Sequence, residues 1–233
     1  MNTLMKIVAG LLLALSLQAH QILVQKADTG YEAIYWAHEN GFIKYDKHQL
    51  KGIKAFGKNA KVLNAGIDFS GTTPKLLIDG KPLMVTLFFD GGYWTKTIQG
   101  FKNIAPKDAK GVIFSSLKSV KFSKTLLEWD KSFKNPVGLK MEVTPLVNPF
   151  NLKIGDELPV LVTKDGKAFA GASFETSDND DPTFKTNAYG IAYIPILKKG
   201  LMIIAAKSYM PQVADMNVEN ITVQSALVFK VNE

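Results

Sequence analysis

The chain contains no cysteine and no arginine. Without cysteine there is no disulfide, no thiolate metal site, no cysteine nucleophile and no lipid anchor on an N-terminal cysteine. The missing arginine argues against a nucleic-acid reader, which normally sets arginine forks on guanines and phosphates. All 28 basic residues are lysines, against 21 acidic ones, for a net charge of +7. They are spread along the chain with no dense basic block, which reads as a solvated, lysine-rich surface. Catalytic signatures are missing too. There is no Gly-x-Ser-x-Gly, no phosphate loop and no His-Glu-x-x-His, so the chain is not expected to be an enzyme. Glu128 and Asp130 flank Trp129, but nothing beyond proximity makes them a catalytic pair.

Long apolar runs are scarce as well. Ile7 to Leu17 is the main one, and it is shorter than the roughly 20 residues a spanning helix needs. With Lys6 before it and Gln18-Ala19 after it, it has the three parts of a secretory signal peptide. Residues 1–19 are therefore expected to be removed on export, and the periplasm is the expected home. A cut after Ser16 satisfies the small-x-small rule better, with Ala14 and Ser16. A cut after Ala19 is preferred, because the apolar run continues to Leu17 and the polar Gln18 should precede the cut.

Beyond residue 19 the pattern is that of short strands. QILVQ alternates, YEAIYWAH is rich in aromatic and β-branched residues, and KHQLKGIKAF reads as extended. Asp79-Gly80 and Asp165-Gly166 are two-residue hairpin signals, and Gly91-Gly92 marks a turn or bulge beside Tyr93 and Trp94. VIFSSLKSVKFSKTLLEW is ambiguous between helix and edge strand. Extended structure is favoured because no helical stripe is clean. KSFKNPVG is the best candidate linker. The fold class expected is all-β, with two β-sandwich domains of the immunoglobulin or prealbumin kind, over residues 20–138 and 139–233.

Two further clusters catch the eye. Asp178, Asp180 and Asp181 sit in SDNDDPTF, but the stretch lacks the glycine and closing glutamate of a calcium loop and reads as a solvated acidic turn. The aromatic residues Tyr35, Trp36, Tyr93 and Trp94 invite a sugar-binding reading, and packing on a sheet is the better one.

Three histidines remain: His20, His38 and His48. If the mature chain begins at His20, one residue supplies both an α-amine and an imidazole to a metal ion. Both groups have a substantial neutral fraction near pH 7. An antiparallel neighbour strand could bring His38 to the same face. His48 is a possible further ligand, with Glu39 and Asp46 behind it. Imidazole suits nickel, cobalt, copper and zinc.

The segments AHQILV, YWAHENG, FFDGGYWTKTIQGFKN and LKMEVTPLVNPFNLKIGDELPVLVTKDGKAFAGASFET carry a resemblance. They look like a family of exported bacterial proteins, long a domain of unknown function, described as periplasmic components of nickel/cobalt ABC-type transport. In that family the signal peptide ends in Ala-His and a second histidine follows one strand later. Here His38 is followed by Glu39-Asn40-Gly41 instead of the family's proline and acidic residue. The second half, with Lys164-Asp165-Gly166-Lys167, Gly171-Ala172 and Tyr189-Gly190-Ile191-Ala192, also resembles prealbumin-like and carboxypeptidase-regulatory sandwiches.

The resemblance implies a periplasmic protein that binds Ni2+ or Co2+, with Cu2+ or Zn2+ as alternatives. It would deliver the ion to an inner-membrane transporter or take it from an outer-membrane receptor. The rival expectation is a protein- or carbohydrate-binding module without metal. A copper-dependent oxidoreductase is a third, with no substrate site in the sequence to support it.

Overall fold

The computed structural model describes residues 20–37, 41–177, 184–211, 218 and 220–231. The expected signal segment 1–19, His38 and Glu39, and the acidic run from 178 to 183 lie outside the described residues. In chain order the strands are β1 (Gln21–Lys26), β2 (Tyr31–Ala37), β3 (Gly41–Ile43), β4 (Leu50–Phe56), β5 (Val62–Leu63) and β6 (Ala65–Asp68). Next come β7 (Lys75–Ile78), β8 (Met84–Thr97), β9 (Gly100–Lys102), β10 (Ile113–Leu126) and β11 (Met141–Pro145). The rest are β12 (Glu157–Lys164), β13 (Lys167–Ala168), β14 (Ser173–Thr176), β15 (Ile191–Pro195), β16 (Gly200–Pro211) and β17 (Asn220–Val231). Among the described residues the helical pieces are short 3-10 turns, and none is long and apolar enough to cross a membrane.

The strands form three sheets. The middle one runs β14-β16-β17-β10-β8-β4-β5, with β9 also on β8. One outer sheet runs β1-β2-β7-β6, with β3 on β2, and the other runs β11-β12-β13, with β15 on β12. Side chains alternate between the two faces of a strand, and here both faces of the middle sheet are used. Along β8, Val85, Leu87 and Phe89 pack toward the first outer sheet, with Ile22, Ala33 and Tyr35. Met84 and Phe88 pack toward the second, with Met141, Val143 and Val160. Likewise on β16, Ile203 and Ala205 meet Leu23, while Met202, Ile204 and Ala206 join the opposite core. A sheet covered on both sides has no wet face to encode. That is why ALVF in β17 and MVTLFF in β8 run with little alternation.

The fold is thus all-β and sandwich-like, with a shared middle layer. That layer takes β4, β5, β8, β9 and β10 from before residue 139 and β14, β16 and β17 from after it. The seam between them is a parallel pairing of β10 with β17, from Leu117 opposite Asn220 to Thr125 opposite Val228.

Several local expectations meet their outcome here. The ambiguous segment is β10, extended over 14 residues. Asp165-Gly166 closes a two-residue hairpin in which Lys164 faces Lys167, both turn residues having positive φ. Asp79-Gly80 does not close a hairpin, because β7 pairs with β6 and β2 while β8 belongs to the middle sheet. The turn chemistry is satisfied by a passage between layers instead. KSFKNPVG is no free linker either. Phe133 is fully buried in the core, and the Glu142 carboxylate accepts backbone N–H bonds from Val137, Gly138 and Leu139.

Candidate functional site

Between the first outer sheet and the middle sheet lies a cavity of about 260 Å³. His20 and Tyr35 of β2 are among the residues that line it. Gln21 faces Trp36 in an antiparallel register, so the start of β1 lies beside the end of β2. His20, just before β1, is half-buried there, its ring 5.9 Å from that of Tyr35. Tyr35 in turn packs on Tyr45 and Phe89, at 5.6 and 5.1 Å between ring centres. The Tyr45 hydroxyl donates to the Ala33 carbonyl at 2.8 Å, fixing the wall. Burial pushes both phenols well above their ordinary range, so they remain neutral hydroxyls at any physiological pH.

A bulge in β8 shapes the far wall. Ser119 of β10 pairs with Gly92 and Val120 with Asp90, leaving Gly91 as the extra residue. A Cβ on Gly91 would come to 3.0 Å from the Ser119 Cβ, so a larger residue there would have to push β10 aside, and glycine suits the close approach. The bulge is tied down from outside. The Gly91 carbonyl accepts from Trp94 Nε1 at 3.0 Å and from Asn103 Nδ2 at 2.9 Å. Trp94 thereby folds back to line the cavity. The Gly91-Gly92 signal in the sequence is thus a bulge with a structural purpose.

The floor is polar. Lys121 of β10 is only 6% exposed, and its ammonium donates to Gln224 Oε1 on the neighbouring β17. Gln224 Nε2 lies 3.5 Å from Glu175 Oε2. Lys207 of β16 pairs with Glu175 at 3.2 Å. Burial pushes Lys121 down to about 7, with Glu175 opposing the shift and Lys207 adding to it. His20 is held below its ordinary imidazole value, first by desolvation and then by the charge of Lys121. Its ring is therefore neutral near pH 7 and offers a lone pair. Thr222, 3% exposed, also lines the cavity, and its hydroxyl has no hydrogen-bond partner among the described residues.

The other expected ligands lie elsewhere. His48 is exposed in a 3-10 turn capped by Asp46, its ring stacked 5.6 Å from Phe69. It lines a second, shallower cavity on the other side of Asp46 and Gln49, so His20 and His48 open onto different hollows. His38 lies outside the described residues. The residues on either side of that gap, Ala37 and Gly41, are paired across β2 and β3. Among the described residues no group of three or more His, Asp or Glu side chains is gathered around one metal-sized point. Of the aromatic residues singled out, Tyr35 belongs to the core and Trp94 to the cavity wall. Tyr93 lies under Lys118 at 5.6 Å.

Lys121, Thr222, Gln224 and Lys207 escape a reading of the sequence for metal ligands. A signal is nevertheless present. Lys118, Lys121 and Lys124 recur every third residue along a run that is otherwise apolar or small, so they cannot all share one face of a strand. At least one must point inward.

Fold and site together define a three-layered all-β protein with a polar-floored cavity between two of its layers. By sequence the chain belongs to the family described as Domain of unknown function (DUF4198), whose model matches residues 17–209. It is also similar to an uncharacterized protein of Haemophilus influenzae, 29% identical over 194 residues, which covers 81% of this chain and 82% of the relative. No solved structure matches the chain.

Proposed function

We propose that the protein is exported and cut between Ala19 and His20, and that it captures a divalent transition metal for uptake without catalysing a reaction. Ni2+ or Co2+ is the favoured cargo, with Cu2+ and Zn2+ as competitors. The partner is an inner-membrane nickel/cobalt transporter or an outer-membrane receptor feeding it. The observation that carries this reading is His20, half-buried in the lining of the cavity with its imidazole pKa lowered. Cleavage would add an α-amine to the same residue, giving a chelate from one side chain and one terminus. The end of β2, immediately before His38, lies beside the start of β1, as the two-histidine arrangement requires. The described donors do not close a coordination shell, so this reading depends on the new amine and on His38. His48 opens onto a different hollow and serves as a separate surface ligand.

Intact-mass measurement of the secreted protein tests the first half, and a first residue other than His20 rejects it. Calorimetric titration with Ni2+, Co2+, Cu2+ and Zn2+ at pH 7.5 tests the second. His20→Ala should lower affinity at least ~10-fold, as loss of a metal-site residue does, and failure of all four ions to bind the wild type rejects the metal reading. Because the ligands must be unprotonated, affinity falls as the pH is lowered through the His20 pKa.

A further inference from the structure

Two lysines on the floor are at odds with a bare cation and point to a second kind of ligand. An ammonium carries three donors, and among the described residues Lys121 uses one, on Gln224. Gln224 is held by its other end toward Glu175. The pairing of β10 with β17 sets Lys121 opposite Gln224 and Ser119 opposite Thr222, so Thr222 lies two residues along the same face. Its buried, unpartnered hydroxyl is a group that normally finds a partner, and in a cavity that partner is a ligand or a water.

The charges agree. The titratable groups at the cavity are His20, Tyr35, Lys44, Tyr45, Asp46, Lys121 and Lys207, with Glu175 behind the last two. Glu175 answers Lys207, Asp46 offsets Lys44 at the exposed rim, and the phenols and imidazole are neutral. One positive charge, that of Lys121, is left without a carboxylate of its own. The walls above it are Tyr35, Phe89 and Trp94, which suit a carbon skeleton better than a hydrated inorganic ion.

We infer that the floor formed by Lys121, Thr222 and Gln224 is a subsite for the carboxylate of a small organic anion whose apolar part lies against Tyr35, Phe89 and Trp94. The subsite does not depend on a metal. If the metal reading also holds, the two together describe a cargo carried as a carboxylate chelate, and that combined statement rests on both.

The test uses metal-free protein at pH 6.5 and follows binding by calorimetry and saturation-transfer NMR. The probes are benzoate, propionate and the uncharged benzamide. Benzoate is expected to bind saturably and benzamide at least ~10-fold more weakly, the effect of losing a charge-assisted contact. Lys121→Met should weaken benzoate at least ~10-fold. The isosteric Thr222→Val should weaken it by about 3- to 10-fold through loss of one hydrogen bond to a charged group. Circular dichroism checks each fold, and Thr222→Val carries the test if Lys121→Met does not fold. Absence of saturable binding by both carboxylates overturns the proposal, as does wild-type affinity in the variants. Lys75→Met, at an exposed lysine of β7 away from the cavity, should leave benzoate within about twofold. A loss there as large as in Lys121→Met would make the effect one of net charge and overturn the floor assignment. Failure of the metal titration leaves this outcome unaffected, so the two readings fail separately.

Discussion

Lys121 and Lys124 stand three residues apart on β10, both buried, facing opposite layers. Lys124 points toward β11, fully buried against an equally buried Glu142, and donates to Thr144 Oγ1 at 3.0 Å. Glu142 is saturated in turn by the amides of Val137, Gly138 and Leu139, at 2.8 to 3.1 Å. Every charge there has its counter-charge, and the network staples residues 137–139 to the middle sheet. Lys121 points toward a cavity and has a neutral amide for its partner. Burial is common to both lysines. What separates a structural charge from an available one is whether its partners close around it.

This contrast can be broken most forcefully at Glu142. Glu142→Ala removes the counter-charge of Lys124 and the acceptor of three backbone amides, and should destabilise the fold by about 3–5 kcal/mol in urea denaturation. Lys121→Met should do the opposite and leave stability unchanged or raised, because it removes a buried charge that lacks a carboxylate partner. Equal losses in the two variants would erase the distinction. A second blow to the closed side is Gly190→Ala. Gly190 has φ +74, and a Cβ there would come 2.8 Å from the Val162 carbonyl and 2.9 Å from the Phe169 amide. Because backbone is what it would strike, a cost of about 2–3 kcal/mol is expected, measured by the same denaturation.

On the open side, the Val24 amide donates to Thr125 Oγ1 at 3.2 Å and docks β1 on β10. Thr125→Val should cost about 1–2 kcal/mol by leaving that amide unpaired. The pH profile sharpens the comparison further. A lysine held at about 7 in the fold and 10.5 when unfolded binds fewer protons folded than unfolded between those values. Its penalty is therefore full below pH 7 and is relieved as the pH rises toward 10.5. The stability advantage of Lys121→Met should shrink across that window, and a flat difference would contradict the assignment. The smallest effect is at His20. Since Lys121 helps to hold its imidazole down, Lys121→Met should raise the His20 pKa, read from its ring resonances by NMR.

How much of this was legible beforehand depends on the range of the interaction. Asp165-Gly166 specified its hairpin because turn and strands lie within a dozen residues. Gly91-Gly92 announced a turn or bulge by residue type, and its pairing with β10 decided for the bulge. Asp79-Gly80 carried the same local signal and meant something else, because β7 pairs back on β6 and across to β2 while β8 joins β4 and β10 in another sheet. KSFKNPVG looked like a linker because polar residues, proline and glycine are what linkers contain. The carboxylate that gathers its amides comes from the next strand, and the lysine answering that carboxylate from the strand before. His20 stood out in the sequence by residue type. Lys121 did not, since one lysine among 28 looks like surface.

The sequence by itself determined the strand-rich class, the lack of disulfides and arginine forks, the tight turn after β12 and the position of His20 just before the first strand. Each follows from residue chemistry or from contacts a few residues apart. Only the tertiary structure decided that one sheet serves two cores, that β10 and β17 run parallel, and that Lys121 and Lys124 turn to different neighbours. Those outcomes depend on which strands, about a hundred residues apart in the chain, come to lie side by side and on what each face then finds opposite it.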